Sequence, residues 1–187
     1  MRVIAGSAGG SQLVAPRDPG TRPIADRVKE TLFAILADRV VEATTLDLYA
    51  GSGAIGIEAL SRGAAHCDFV EHNRLAQAAI RENLRRTGFE DRASVHAVDV
   101  MQHLGRSGTG HYDLVFLDPP YGDHAILAPL ERLVPHLASG AAVIVKHFWR
   151  TPIPVPSGLA SWRERRFGET ALTFLAVTSG ADEMEEP

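Results

Sequence analysis

The chain has 187 residues, of which 45% are hydrophobic and 22% are charged, and its formal net charge at neutral pH is −4. These values are typical of one soluble globular domain, and the single cysteine, Cys67, excludes an internal disulfide. No stretch has the length of a membrane span, the spacing of a zinc site or the apolar core of a signal peptide, so we expect a cytoplasmic protein without metal or membrane partners.

The first 40 residues are predicted to form an extension that precedes the main fold. Short strands over residues 2–5 and 12–15 are predicted to pair as a hairpin, and apolar residues at helical spacing predict a helix from Ala25. Because the whole chain is acidic, an RNA partner would need local basic clusters. The residues of this extension that we predict as RNA contacts are Arg2, Arg17, Arg22, Arg27 and Lys29. A solvated helix face with ion pairs is the alternative interpretation.

A glycine-rich loop follows the first strand of the main fold. Residues 45–50 predict a strand, and Gly51, Gly53 and Gly56 then form G-x-G-x-x-G at the start of a helix predicted through Ser61. Glycines let a ligand approach the backbone there, and the helix N-terminus offers unpaired N–H donors. Glu71 follows Gly51 by twenty residues, which is the position of an acid that accepts from ribose hydroxyls. The pattern predicts a nucleotide-type site.

Strands and helices alternate along the rest of the chain, and this alternation indicates an α/β fold with a parallel, doubly wound sheet. We predict helices over residues 73–87 and 126–137, strands over 67–70, 93–98, 112–117 and 141–147, and an antiparallel pair near 162–167 and 171–177. A second basic cluster near that pair consists of Arg150, Arg163, Arg165 and Arg166. We predict a single domain with a core over residues 41–178 and a disordered acidic tail over 179–187.

The motif Asp118-Pro119-Pro120-Tyr121 comes directly after the strand predicted over residues 112–117. Two prolines end the strand because they remove backbone donors. A carboxylate and a neighbouring carbonyl form a double acceptor that matches the two hydrogens of an exocyclic amino group. The tyrosine ring offers a face on which a planar base can stack. We therefore predict these four residues as the catalytic group.

Four acids are predicted at the carboxyl ends of strands, and together they favour S-adenosylmethionine (SAM) over a nicotinamide or flavin cofactor. Asp47 is placed to bind the SAM ammonium, Glu71 the ribose and Asp99 the adenine amino group, which leaves Asp118 for the substrate. Asp47 and Asp99 have an alternative interpretation as helix caps or turn formers. The residues predicted to bind the cofactor are Asp47, Ala50, Gly51, Ser52, Gly53, Gly56, Glu71, His72, Asp99 and Val100.

Several segments carry a resemblance to a known family: residues 21–23, 26–30, 46–63, 69–71, 118–121 and 167–170. In these segments the chain resembles class I SAM-dependent methyltransferases. More closely, it is similar to the bacterial family that methylates the exocyclic N2 of a guanine in 16S ribosomal RNA. The resemblance implies a Rossmann-like, mostly parallel seven-stranded sheet with an antiparallel C-terminal strand, S-adenosylhomocysteine as product, and an RNA partner within an assembling small ribosomal subunit. We expect a monomer.

The chain departs from that family's pattern at three places. Gly9 and Ser11 replace the usual basic residues around Gly10, Ile24 and Ala25 replace two threonine-like residues, and Lys146 replaces an acid late in the fifth strand. Three other functions remain open: an adenine-N6 methyltransferase acting on DNA, a protein-glutamine methyltransferase, and a non-catalytic binding protein that assists RNA assembly.

Overall fold

The computed structural model describes residues 1–16, 24–106, 111–119 and 126–178, and within them a seven-stranded sheet is flanked by helices. The strands are β1 (Thr44–Leu48), β2 (His66–Val70), β3 (Ala93–His96), β4 (Tyr112–Leu117), β5 (Leu137–Phe148), β6 (Leu159–Phe167) and β7 (Thr170–Val177). The helices are α1 (Asp26–Leu36), α2 (Ala54–Ser61), α3 (Arg74–Thr87), α4 (Val100–Leu104) and α5 (Leu127–Leu133). No helix in these ranges is long and apolar enough to cross a membrane.

The strand order is β3-β2-β1-β4-β5-β7-β6, with β7 antiparallel to both of its neighbours. The other pairings are parallel. The predicted α/β fold, with its mostly parallel seven-stranded sheet and antiparallel C-terminal strand, is therefore confirmed. Register aligns the last residues of neighbouring strands, since Leu48 pairs with both Val70 and Leu117, and Leu117 pairs with Val145. The segments that follow β1, β2, β4 and β5 thus meet at one edge of the sheet, where ligands of such folds bind.

Burial on both faces explains why β4 is almost continuously apolar. Leu114 and Phe116 pack on the side of α1, where the rings of Phe33 and Phe116 lie 5.9 Å apart. Val115 and Leu117 pack on the other side with α4 and α5. Each fully buried side chain of this kind stabilises the fold by about 1.5–3 kcal/mol. The central strand therefore gives a rigid support to the residues that follow it.

The first 16 residues pack against α2 and α3. The predicted hairpin is confirmed, but its pairing consists of one antiparallel bridge between Arg2 and Gln12 in place of two short strands. Val3 and Leu13 are buried in the main core, and the Asn83 side chain bonds to both the N–H and the carbonyl of Val14. This segment is consequently part of the same hydrophobic core as the sheet.

Lys29 was predicted as an RNA contact, and the structure corrects this prediction. Its side chain has no exposed surface, and its Nζ lies 3.0 Å from Oε2 of Glu58, which is also fully buried. Lys29 donates to the Arg2 carbonyl as well, while Glu58 pairs with Arg62 and accepts two backbone N–H groups. The helical spacing that buries Val28 and Leu32 also turns Lys29 toward the core. Lys29 therefore joins α1, α2 and the N-terminal segment, and cannot reach a phosphate.

We expect Lys29→Met to destabilise the protein by roughly 3 kcal/mol, because it removes one of the two cations that pair with the fully buried Glu58 carboxylate. Arg27→Met is the matched control, since Arg27 is exposed on the same helix and surface changes typically alter stability by about 0.5 kcal/mol or less. Urea denaturation measures both. An unchanged stability of Lys29→Met, together with weaker RNA binding, would restore the original prediction.

Several boundaries differ from those predicted, for local reasons. β1 ends at Leu48 instead of residue 50 because Tyr49 adopts a positive φ of 59°. α5 stops at Leu133 and a 3₁₀ turn follows, in which Pro135 lacks an N–H donor. The predictions for Arg17, Arg22, Pro120, Tyr121 and the tail at 179–187 fall outside the described residues.

Candidate active site

Asp47 is the next-to-last residue of β1, shortly before the glycine-rich loop, and it is almost fully buried. Its Oδ2 accepts a hydrogen bond of 3.0 Å from the N–H of Gly56, at the start of α2. Burial raises the pKa of Asp47 well above its ordinary value, and the nearby carboxylates of Asp118 and Glu71 raise it further, whereas the Gly56 N–H lowers it. A cationic ligand would stabilise the ionised form of this side chain.

The glycine-rich loop has the conformation that its sequence predicts. Gly51 and Gly53 have φ values of 56° and 74°, which non-glycine residues rarely adopt. Gly56 has a different role, because a Cβ there would lie 2.4 Å from Cε1 of Phe69 and 2.6 Å from Sγ of Cys67. Its observed contributions are the close packing of α2 on β2 and the N–H that holds Asp47. Direct contact of Gly56 with a cofactor remains a prediction.

Glu71 joins the glycine-rich loop to the start of α3. Its Oε2 accepts from the N–H of Gly51 at 2.9 Å and its Oε1 from the N–H of Asn73 at 2.7 Å. A carboxylate has about four lone-pair sites, so these two bonds leave capacity for ligand hydroxyls. The neighbouring His72 is exposed, with Nδ1 3.4 Å from Oε1 of Glu71. The Glu71 carboxylate is thus held in place before any ligand binds.

Asp99 and Val100 begin α4, beyond the end of β3. Asp99 is exposed and caps the helix, because its Oδ1 accepts from the N–H of Met101 at 2.7 Å. Val100 is buried in the core between the sheet and α4. The capping role that the sequence left open is confirmed for Asp99.

The acidic residues at the carboxyl ends of these strands fit SAM. The acids Asp47, Glu71 and Asp99 follow or end three adjacent strands, β1, β2 and β3, and they supply acceptors for an ammonium, a ribose and an adenine amino group. SAM carries two positive charges, on its ammonium and its sulfonium, which suit a site where burial and neighbouring carboxylates disfavour the charge of Asp47. The pyrophosphate of a dinucleotide would add negative charge to the same place.

Asp118 and Lys146 form a partly buried ion pair at the carboxyl ends of β4 and β5. Lys146 Nζ lies 2.6 Å from Oδ1 and 2.7 Å from Oδ2 of Asp118. The Lys146 side chain is 9% exposed and the Asp118 side chain is 24% exposed. The pairing follows from register, since Leu117 lies opposite Val145. Burial raises the pKa of Asp118, whereas the Lys146 ammonium opposes this shift by charge and by hydrogen bonding. Lys146 therefore favours the carboxylate form of Asp118.

Lys146 departs from the family pattern, and the predicted site does not include it. A signal for its role exists in the sequence, because it is the one charged residue in the run Ala141 to His147, on a strand next to β4. Lysine is seldom buried without a partner, and Asp118, the residue after β4, is the acid in reach. Pro119 follows Asp118 at the surface of the site, so two of the four predicted catalytic residues are described there.

A cavity of about 530 Å³ opens beside the ion pair. It lies between the start of α1 and the turn that joins β6 to β7. Its walls include Ile24, Arg27, Lys146, Arg166 and Phe167. The described residues contain no group of three or more His, Cys, Asp or Glu side chains that could hold a metal ion.

The fold and the acids at its carboxyl edge define a SAM-dependent methyltransferase of class I, and similar proteins agree with this class. The chain belongs to the family described as Conserved hypothetical protein 95, which matches residues 1–176.

Three known proteins are similar to this chain over most of its length. Ribosomal RNA small subunit methyltransferase D of Escherichia coli (strain K12) is 37% identical over 174 residues, which cover 91% of this chain and 87% of the relative. YlbH of Bacillus subtilis (strain 168), named as a candidate rRNA methyltransferase, is 34% identical over 93% of this chain and 97% of its own. The solved structure of yhhF, a candidate methyltransferase from Escherichia coli, has a TM-score of 0.82 at 33% identity and covers 95% of this chain and 97% of its own.

Proposed function

We propose that this protein transfers a methyl group from SAM to the exocyclic N2 amino group of a guanine in small-subunit ribosomal RNA. Relatives named for methylation of small-subunit rRNA, similar over most of this chain, support the RNA substrate. The cytoplasm is where such an RNA would be met. The observation that carries the choice of guanine is the ion pair between Asp118 and Lys146.

An ionised carboxylate accepts hydrogen bonds and cannot donate them. Lys146 contacts both oxygens of Asp118 and favours this ionised state. The group therefore matches an edge with adjacent donors, and guanine has one, formed by N1–H and the N2 amino group. Adenine has its N6 amino group beside N1, which is an acceptor and would meet the carboxylate unfavourably. A protonated Asp118 would be donor and acceptor together, which is the match for adenine.

The residues of the site act by holding the amino group in position. SAM, when bound by Asp47, Glu71 and Asp99, would supply a methyl group on a positively charged sulfur and would leave as S-adenosylhomocysteine. The amino nitrogen gains the methyl group and releases one of its two protons to the solvent. Asp118 and the Pro119 carbonyl accept the two hydrogens of the amino group and draw its lone pair out of conjugation with the base. Tyr121 stacks on the base in this proposal, after the nucleotide has left its own stack. Positioning supplies most of the rate increase, because sulfonium is already a good leaving group.

The proposal is tested by transfer of a labelled methyl group from SAM to small-subunit rRNA from cells that lack this gene. Both protein-free RNA and assembled particles are offered, and the product is digested to nucleosides for mass spectrometry. We expect label in N2-methylguanosine. Label in N6-methyladenosine would select the adenine alternative, and absence of transfer to either substrate would support a binding protein without catalysis.

Lys146→Met should shift the acid limb of the pH–rate profile to higher pH. The reaction needs ionised Asp118, so activity falls as pH falls through the pKa of that carboxyl group. Burial already raises this pKa, and loss of the Lys146 ammonium removes the effect that opposes the rise. Lys146→Arg keeps the charge and serves as the control. Superimposable profiles of wild type and Lys146→Met would show that Lys146 does not control the ionisation of Asp118.

A further inference from the structure

The segment after β5 and the strand β6 together display four arginines and two tryptophans at the surface. The guanidinium carbon of Arg166 lies 3.5 Å from the centroid of the Trp149 ring, and that of Arg150 lies 4.7 Å from the same centroid. Further along β6, Arg163 lies 5.3 Å from the ring of Trp162. We call Trp149, Arg150, Trp162, Arg163, Arg165 and Arg166 the arginine–tryptophan surface.

The backbone holds this surface in a defined shape. The N–H of Trp149 donates to the Glu169 carbonyl at 3.0 Å, which fixes the segment after β5 to the β6–β7 turn. Nε of Arg166 donates to the Gly168 carbonyl at 2.8 Å. A guanidinium stacked on an aromatic ring loses little freedom on binding, and its remaining N–H groups stay available at its edge.

The positive charges of this surface are not neutralised by ion pairs among the described residues. Within the described ranges, Arg150, Arg163, Arg165 and Arg166 make no ion pair with a carboxylate. By contrast, Arg2 pairs with Asp26, Arg62 with Glu58, and Arg85 and Arg86 both pair with Glu82. In a chain of net charge −4, the surface is thus a local excess of positive charge beside the edge strand β6, with four arginines against Glu164 and Glu169.

One end of the surface borders the active site. Arg166 lines the cavity of about 530 Å³, and Lys146 lies in the wall of the same cavity. Lys146 contacts Asp118 directly. Trp149 and Arg150 follow β5 at the carboxyl ends of the parallel strands, where Asp118 follows β4. A polyanion bound here would lie next to the reacting group.

We propose that the arginine–tryptophan surface binds the phosphate backbone of the RNA strand that carries the target guanine. The inference rests on the proposed function, because it takes RNA as the substrate. Phosphates accept from the stacked guanidinium groups and fix the register of the strand, while Asp118 selects the base. Arg27, a predicted RNA contact, lines the same cavity and extends the surface toward α1. Arg2, another predicted RNA contact, pairs with Asp26.

The test is the salt dependence of RNA affinity for the double variant Arg163→Ala/Arg165→Ala. Each lost phosphate contact lowers the slope of log K against log salt concentration by about 0.7–0.9, so the double variant should lose roughly 1.4–1.8. Arg150→Ala/Arg166→Ala should lose a similar amount and raise the KM for RNA without lowering kcat. SAM affinity, measured by calorimetry, should stay at the wild-type value in both and so show that the proteins are folded.

Arg85→Ala/Arg86→Ala is the matched control. It removes two charges from the last turn of α3, the helix that precedes β3, and β3 is the outer strand farthest from β6. Both arginines are paired with Glu82. The slope of this control should equal that of wild type. Unchanged slopes in all variants would overturn the proposal and leave the arginines as protection of an exposed strand edge. Failure of wild-type protein to bind RNA at any salt concentration would instead contradict the proposed function itself.

Discussion

Replacement of Asp118 by Ala is expected to lower kcat by roughly a hundredfold or more, the usual loss when one preorganised hydrogen-bonding group of an active site is removed. The affinity for SAM should change little, because Asp47, Glu71 and Asp99 supply the contacts to the cofactor in our account. Single-turnover methyl transfer to RNA measures the first quantity, and calorimetry with SAM measures the second.

This variant needs a control, because it leaves the buried ammonium of Lys146 without its carboxylate partner. The double variant Asp118→Ala/Lys146→Met removes both charges and should recover stability while remaining inactive. Recovery of turnover together with stability would mean that the single variant loses activity through misfolding, and that Asp118 does not contact the substrate.

The second large effect is expected for Glu71→Ala, which should weaken SAM binding by roughly 1–3 kcal/mol, or about five- to 150-fold. The change removes the acceptor for ribose, and it also leaves the N–H groups of Gly51 and Asn73 without their partner. Glu90→Ala is the matched control, since this exposed glutamate lies outside the predicted cofactor site and should alter affinity by less than about twofold. Equal affinities for SAM in wild type and Glu71→Ala would remove Glu71 from the cofactor site.

Most of the architecture follows from local patterns in the sequence. Apolar runs such as β4 could be predicted because a strand covered on both faces needs no alternation. The loop at Gly51 and the acid at Glu71 could be placed because the turn requires positive φ and because the second strand ends next to the first. These features depend on residues within one βαβ unit, where sequence spacing fixes position in space.

The features that the sequence did not predict depend on partners far along the chain. Lys29 has the spacing of an amphipathic helix, and only the approach of Glu58 converts it from a surface charge into a buried one. Lys146 acquires its role from Asp118, 28 positions earlier and one strand away. Asp68 likewise accepts from Tyr112 at 2.9 Å and from His96 at 2.7 Å, across three strands. Such pairs follow from strand order and register, which no local pattern contains.

The central claim is that Asp118 directs methyl transfer to the N2 of a guanine in small-subunit rRNA. Mass mapping of modified nucleotides in that rRNA tests it most directly, with RNA from a strain that lacks the gene and from the same strain carrying wild-type or Asp118→Ala protein. We predict that one N2-methylguanosine is lost in the deletion strain and is restored by wild type but not by Asp118→Ala. An unchanged set of modified guanines in the deletion strain would contradict this account.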